Sequence, residues 1–179
     1  MSTDLTVRSA SAMRDLGRRL AELLRPGDLV LLSGELGAGK TTLTRGLGEG
    51  LGVRGAVTSP TFVMAHVHPS LHGGPALVHV DAYRLGGLEE MDDLDLDVSL
   101  PDSVIVVEWG EGKVEELSED RLHVAIHRAT GADPLAPGQP GEGPGAADEE
   151  PEDPRRVVLT PLGARWENAD LASLTAVTT

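Results

Sequence analysis

The chain alternates short apolar runs with amphipathic stretches. Within "SASAMRDLGRRLAELL", Met13, Leu16, Leu20, Leu23 and Leu24 recur at three- and four-residue intervals, the spacing of one helix face. Ahead of it, "LTVRS" (5–9) has the length and pattern of a short strand, and Pro26-Gly27-Asp28 marks a turn. "LVLLSG" (29–34) is a continuous apolar run, as expected of a strand buried on both faces of a parallel sheet. "SVIVVEW" (103–109) is a second such run, while "RLHVAIHR" (121–128) alternates apolar and polar positions. "TFVMAHVH" (61–68), "ALVHVD" (76–81) and "RRVVLTPLG" (155–163) complete the expected strands. "LEEMDDLDL" (88–96) reads as a short acidic helix and "ARWENADLASLTA" (164–176) as a terminal one. Strands alternating with helices predict an α/β fold: a three-layer, P-loop NTPase-like sheet with flanking helices. All 179 residues are expected in one domain.

One segment departs from this pattern. Residues 131–154 hold seven acidic residues, six prolines and no basic residue, half of the net charge of −14. Such a composition cannot bury enough apolar surface to fold, so a disordered acidic loop is expected there. The acidic balance argues against strong direct nucleic-acid binding, which needs clustered Lys and Arg. The chain has no Cys, which excludes disulfides and thiolate chemistry. Without a signal-like N-terminus or an apolar run of membrane-spanning length, a cytoplasmic protein with no membrane association is expected.

The chemistry concentrates between the first buried strand and the next helix. Gly34, Gly39, Lys40 and Thr41 satisfy the phosphate-loop pattern G-x-x-x-x-G-K-[ST], with Glu35, Leu36, Gly37 and Ala38 between the glycines. Glycines let backbone N–H groups turn inward around a phosphate where a side chain would collide. The lysine reaches the outer phosphates, the threonine hydroxyl serves Mg²⁺, and the helix starting here directs its positive end at the anion. Only two lysines occur in the chain, Lys40 and Lys113.

A Mg-nucleotide site also needs carboxylates at the C-terminal ends of neighbouring strands. "ALVHVD" ends in Asp81 and "SVIVVE" in Glu108; either could hold the metal or position an attacking water. Three of the four aromatics, Phe62, Tyr83 and Trp109, adjoin the polar residues Thr61, Asp81 and Glu108, suggesting a shaped surface around the nucleotide. His66, His68, His72 and His79 do not fix a zinc ligand set. Asp93, Asp95 and Asp97 have calcium-loop spacing, but Val98 and Val104 occupy positions that need Gly and Glu.

With "GELGAGKTT", "SPTF", "HVDAYRL" and "VEWGE" together, the chain resembles the TsaE (YjeE) family, bacterial ATPases of tRNA threonylcarbamoyladenosine synthesis. The resemblance runs from about residue 9 to 128 and resumes at 155–166. It implies a partner-dependent ATPase that supports TsaD and TsaB and meets tRNA only through them, with ATP and Mg²⁺ as cofactors. On that match Gly37, Ala38, Gly39, Lys40, Thr41 and Thr42 bind the phosphates, and Thr41 and Glu108, with Asp81 beside them, serve Mg²⁺. Asp81, Glu108 and Thr61, the last in a switch-like segment, form the implied catalytic set, with Trp109 adjoining. Met13 stands where the family often has Thr, leaving a backbone contact to nucleotide, and a nucleotide-contacting arginine falls on Arg155 or Arg156. Two other readings share the phosphate loop: a small-molecule kinase, and a nucleotide-gated binding module without turnover. A guanine-specific GTPase is disfavoured because the only Asn, Asn168, lies far from any Lys.

Overall fold

The computed structural model describes residues 1–58, 65–83, 100–112, 114–115, 117–128 and 153–177. They build one seven-stranded sheet from β1 (Thr3–Val7), β2 (Leu29–Gly34), β3 (Ala65–His68), β4 (Ala76–Asp81), β5 (Ser103–Glu108), β6 (Arg121–Arg128) and β7 (Arg155–Leu162), in the order β1-β7-β6-β2-β5-β4-β3. The four central strands β6, β2, β5 and β4 run parallel, and β3, β7 and β1 add antiparallel edges. The fold is therefore α/β with a mixed sheet. Every residue of β5 and the first four of β2 are buried, as their continuous apolar runs require of inner parallel strands. β6 alternates half-buried and buried positions over its first six residues, as its sequence does.

Two α-helices, α1 (Ala10–Leu23) and α2 (Lys40–Leu51), share one face of the sheet and enclose the larger core with β1, β7, β6, β2 and β5. Ser9 belongs to no strand; its hydroxyl accepts the Ala12 N–H at 3.1 Å and caps α1. The helices meet backbone to backbone: a Cβ at Gly17 would fall closer than 3.0 Å to the Leu43 carbonyl, and one at Gly46 equally close to that of Arg14. Glu49 of α2 ties the pair together by accepting from Arg14 and Arg18 of α1. Near the start of α1, Met13 lies beside Gly39 of the phosphate loop. On the opposite face, Leu29, Leu31, Val78, Val80, Ile105, Val107 and Val114 form a smaller cluster.

The expected terminal helix is instead two 3-10 turns, Ala164–Trp166 and Leu171–Val177. The first closes at Glu167, and Asp170 caps the start of the second: its carboxylate accepts the Ser173 N–H at 3.1 Å and its carbonyl the Ser173 hydroxyl at 2.7 Å. Arg165 anchors the first turn by gripping Asp28 through Nε and Nη2 at 2.9 and 2.8 Å. The expected acidic helix at 88–96, the start of the 61–68 strand and the acidic segment up to residue 152 lie outside the described residues. Its two ends are nonetheless neighbours, since Arg128 and Arg155 pair in register across β6 and β7. Among the described residues, no helix is long and apolar enough to cross a membrane.

Candidate functional site

β2 delivers the chain into the phosphate loop at Gly34, which has φ 152° and leaves no room for a side chain: a Cβ there would sit 2.6 Å from the Ile126 carbonyl oxygen of β6. Gly37 and Gly39 also have positive φ, and Gly39 is the N-cap of α2 without any side-chain cap. The first N–H groups of α2 therefore have no capping side chain, and a helix start of that kind is suited to an anion. Glu35, Leu36 and Gly37 form the exposed outer arm, while Ala38 is buried.

Lys40 is nearly buried, and its ammonium is held inward. Nζ donates to the carbonyls of Gly34 at 2.8 Å and Glu35 at 3.0 Å, and lies 4.4 Å from the centre of the Trp109 ring. Burial lowers its pKa below the ordinary 10.5, opposed by the nearby charges of Glu108 and Asp81.

Those two carboxylates arrive from neighbouring strands. Asp81 and Glu108 are partners in register at the C-terminal ends of parallel β4 and β5, and β2 flanks β5 on its other side. Asp81 accepts the Tyr83 N–H at 2.9 Å. Past Glu108 the chain turns sharply. Trp109 has φ 59°, the one positive value at a non-glycine among the described residues, and its ring meets Tyr83 edge-on at 5.6 Å. Lys40, Thr41, Thr42, Asp81, Glu108, Tyr83 and Trp109 line one cleft of about 540 Å³ together with Leu36, Gly37 and Gly39.

A second cleft, of about 380 Å³, opens on the other side of the loop. Met13 and Arg155 line it with Ser9, Ala10, Asp153, Gly37, Ala38, Gly39 and Thr42. Arg155 donates through Nε to the Ala38 carbonyl at 3.2 Å and pairs with Asp153. Arg156 projects elsewhere, onto Asp4 of β1. Arg155 alone of the two arginines thus adjoins the loop. Thr61 lies outside the described residues.

Two features escaped sequence reasoning. His79, fully buried on β4, bonds Glu108 at 2.9 Å. Ser33, one residue before the loop, contacts both His123 of β6, at 2.5 Å, and Glu111. Neither contact has a local signal, because each depends on which strands become neighbours.

A family model described as threonylcarbamoyl adenosine biosynthesis protein TsaE matches residues 7–133. A Streptomyces coelicolor protein named tRNA threonylcarbamoyladenosine biosynthesis protein TsaE is 70% identical over 163 residues, covering 90% of this chain and 99% of that one. A Bacillus subtilis protein of the same name is 34% identical, over 85% of this chain and 81% of its own. The crystal structure of Bacillus subtilis YdiB superposes with a TM-score of 0.64 at 30% identity, covering 93% of this chain and 91% of that one. With the family model spanning well over half of its length, the chain belongs to the TsaE family.

Proposed function

We propose that this chain is a Mg²⁺-dependent ATPase that acts in the formation of tRNA threonylcarbamoyladenosine together with TsaD and TsaB. One observation carries the reading: a phosphate loop, its lysine and threonine, and two strand-end carboxylates converge on a single cleft. The names of the Streptomyces and Bacillus relatives supply the pathway. Thr41, Asp81 and Glu108 are hard oxygen donors of the kind Mg²⁺ prefers, so the residues fit that ion. When bound, it would neutralise charge on the outer phosphates.

The chain's own groups divide the remaining work. Lys40 exchanges the carbonyls of Gly34 and Glu35 for phosphate oxygens, a charge-assisted replacement for neutral acceptors. The uncapped start of α2 offers N–H donors to the same anion. Glu108 serves the metal, while Asp81, half-buried, positions or deprotonates the attacking water. The cleft is open to solvent beside Leu36, Tyr83 and Trp109, all exposed apolar side chains. Closure of that opening by the protein partners would exclude bulk water and complete the site, which makes turnover slow in isolation. The net charge of −14 leaves recognition of tRNA to those partners.

The reading is tested by following modified adenosine made by TsaD and TsaB over repeated cycles, with and without this chain. Sustained formation only when the chain and ATP are present is expected. Phosphorylation of a small metabolite by the chain alone would favour the kinase reading instead.

A further inference from the structure

His79 is a fully buried polar side chain beside the cleft. Its exposure is 0%, and its Nε2 lies 2.9 Å from Oε1 of Glu108, itself buried. The other ring nitrogen, Nδ1, is buried without a hydrogen-bond partner among the described residues. A polar ring placed this way costs stability compared with an apolar side chain filling the same slot. Packing alone therefore does not account for the residue, whereas its contact with Glu108 does.

The sheet register explains the geometry. In parallel β4 and β5, Asp81 stands opposite Glu108 and His79 opposite Val106. The two-residue period of a strand puts His79 and Asp81 on one face of β4, and Glu108 on that same face of β5. The helix-side core contains Leu77, Val104 and Val106, so these polar residues face α2 and the phosphate loop. Next to a carboxylate oxygen, Nε2 is assigned as the protonated nitrogen and donates the hydrogen bond.

We infer that His79 is the positioning residue of Glu108: it occupies Oε1 and so fixes the carboxylate rotamer that offers the other oxygen to a nucleotide-bound divalent cation. The inference rests on the proposed Mg-nucleotide reading of the cleft. A ligating carboxylate with a free χ3 torsion samples many orientations, and a hydrogen bond from behind narrows them before the cation arrives.

The test is the Mg²⁺ dependence of ATP binding, followed by calorimetry on the full chain without partners, in variants that melt cooperatively. His79→Phe should raise the Mg²⁺ concentration needed for half-maximal effect by about 10-fold or more. His79→Gln, which keeps an amide donor at similar reach, should restore most of the loss. In a Glu108→Gln background, His79→Phe should add nothing further. A His79→Phe protein with parental Mg²⁺ dependence overturns the inference, as does a Gln variant as impaired as the Phe one. Lys40→Ala, measured alongside, separates the two levels. If it weakens ATP binding while His79→Phe changes nothing, only the positioning role fails. If Lys40→Ala also binds like the parent, the nucleotide site itself is wrong and the inference falls with it. Nitrogen NMR of the imidazole in the unsubstituted protein needs no variant. Protonation at Nε2 is expected, and a ring protonated at Nδ1 alone excludes the hydrogen bond.

Discussion

Lys40 shows how much one residue's surroundings decide. Its ammonium is taken out of water, given two backbone carbonyls and an indole face, and set near two carboxylates. Burial dominates, so the charge is held at a cost that a phosphate bound as proposed would relieve. Lys40→Ala should weaken ATP binding in the presence of Mg²⁺ by about 10- to 100-fold, the loss of roughly 1.5–3 kcal/mol from one charge-assisted contact. Titration calorimetry checks this, and equal affinities would remove the phosphate-loop reading. The loop, Lys40 and Thr41 are legible in the sequence because strand, turn and helix are contiguous there. Asp81 and Glu108 stand out as strand-end carboxylates for the same reason. His79 does not, since its partner lies 29 residues away and only the β4–β5 register joins them. The choice between Arg155 and Arg156 is likewise hidden. It depends on the parity of β7, which sends Arg155 toward Ala38 and Arg156 toward Asp4.

At the scale of elements, the contact between α1 and α2 is a backbone-to-backbone crossing tied by ion pairs. Gly46→Ala would normally favour a helix by about 1 kcal/mol. Here the new Cβ would press on the Arg14 carbonyl, a backbone atom that cannot swing aside. Overpacking of that kind costs about 1–3 kcal/mol or more, so a net loss and a melting temperature several degrees lower are expected. A variant as stable as the parent would contradict the close crossing. The same helix pair responds to acid. Hydrogen bonds and charge from Arg14 and Arg18 hold the Glu49 carboxyl below its ordinary 4.5. The folded state therefore binds this proton less readily than the unfolded chain. The contribution is complete above pH 4.5 and is lost as pH falls through the depressed value. Glu49→Gln should flatten the decline of stability below that pH in urea titrations, by a modest amount because the pair is largely solvated. An unchanged acid slope would argue that the ion pair contributes nothing. Helix and strand positions were broadly legible from periodicity. The C-terminal stretch was not, because Asp170 caps the start of a new turn inside what reads as one apolar repeat.

For the whole molecule, the apolar runs of β2 and β5 announce a parallel centre, but nothing local reveals that β7 returns antiparallel between β6 and β1. That return places Arg128 opposite Arg155 and makes residues 129–154 a connection between adjacent strands. Deleting 133–152 and closing the gap with a short Gly linker should leave the melting temperature unchanged or slightly raised, as expected if the segment's acidic, Pro-rich composition keeps it from packing, since halving such a loop is worth only about 0.6 kcal/mol. A loss of more than a few degrees would mean that the segment packs on the domain. On the proposed reading, the cleft between the phosphate loop and the ends of β4 and β5 hydrolyses ATP and protein partners complete it. Phosphate release, measured for the parent and for Asp81→Asn, each alone and with TsaD and TsaB, tests this most directly. Slow release by the parent alone, strong stimulation by the partners, and a drop of about 100-fold in the stimulated rate of a variant that still binds ATP are expected. Fast release without partners, or an Asp81→Asn variant stimulated like the parent, would contradict the account.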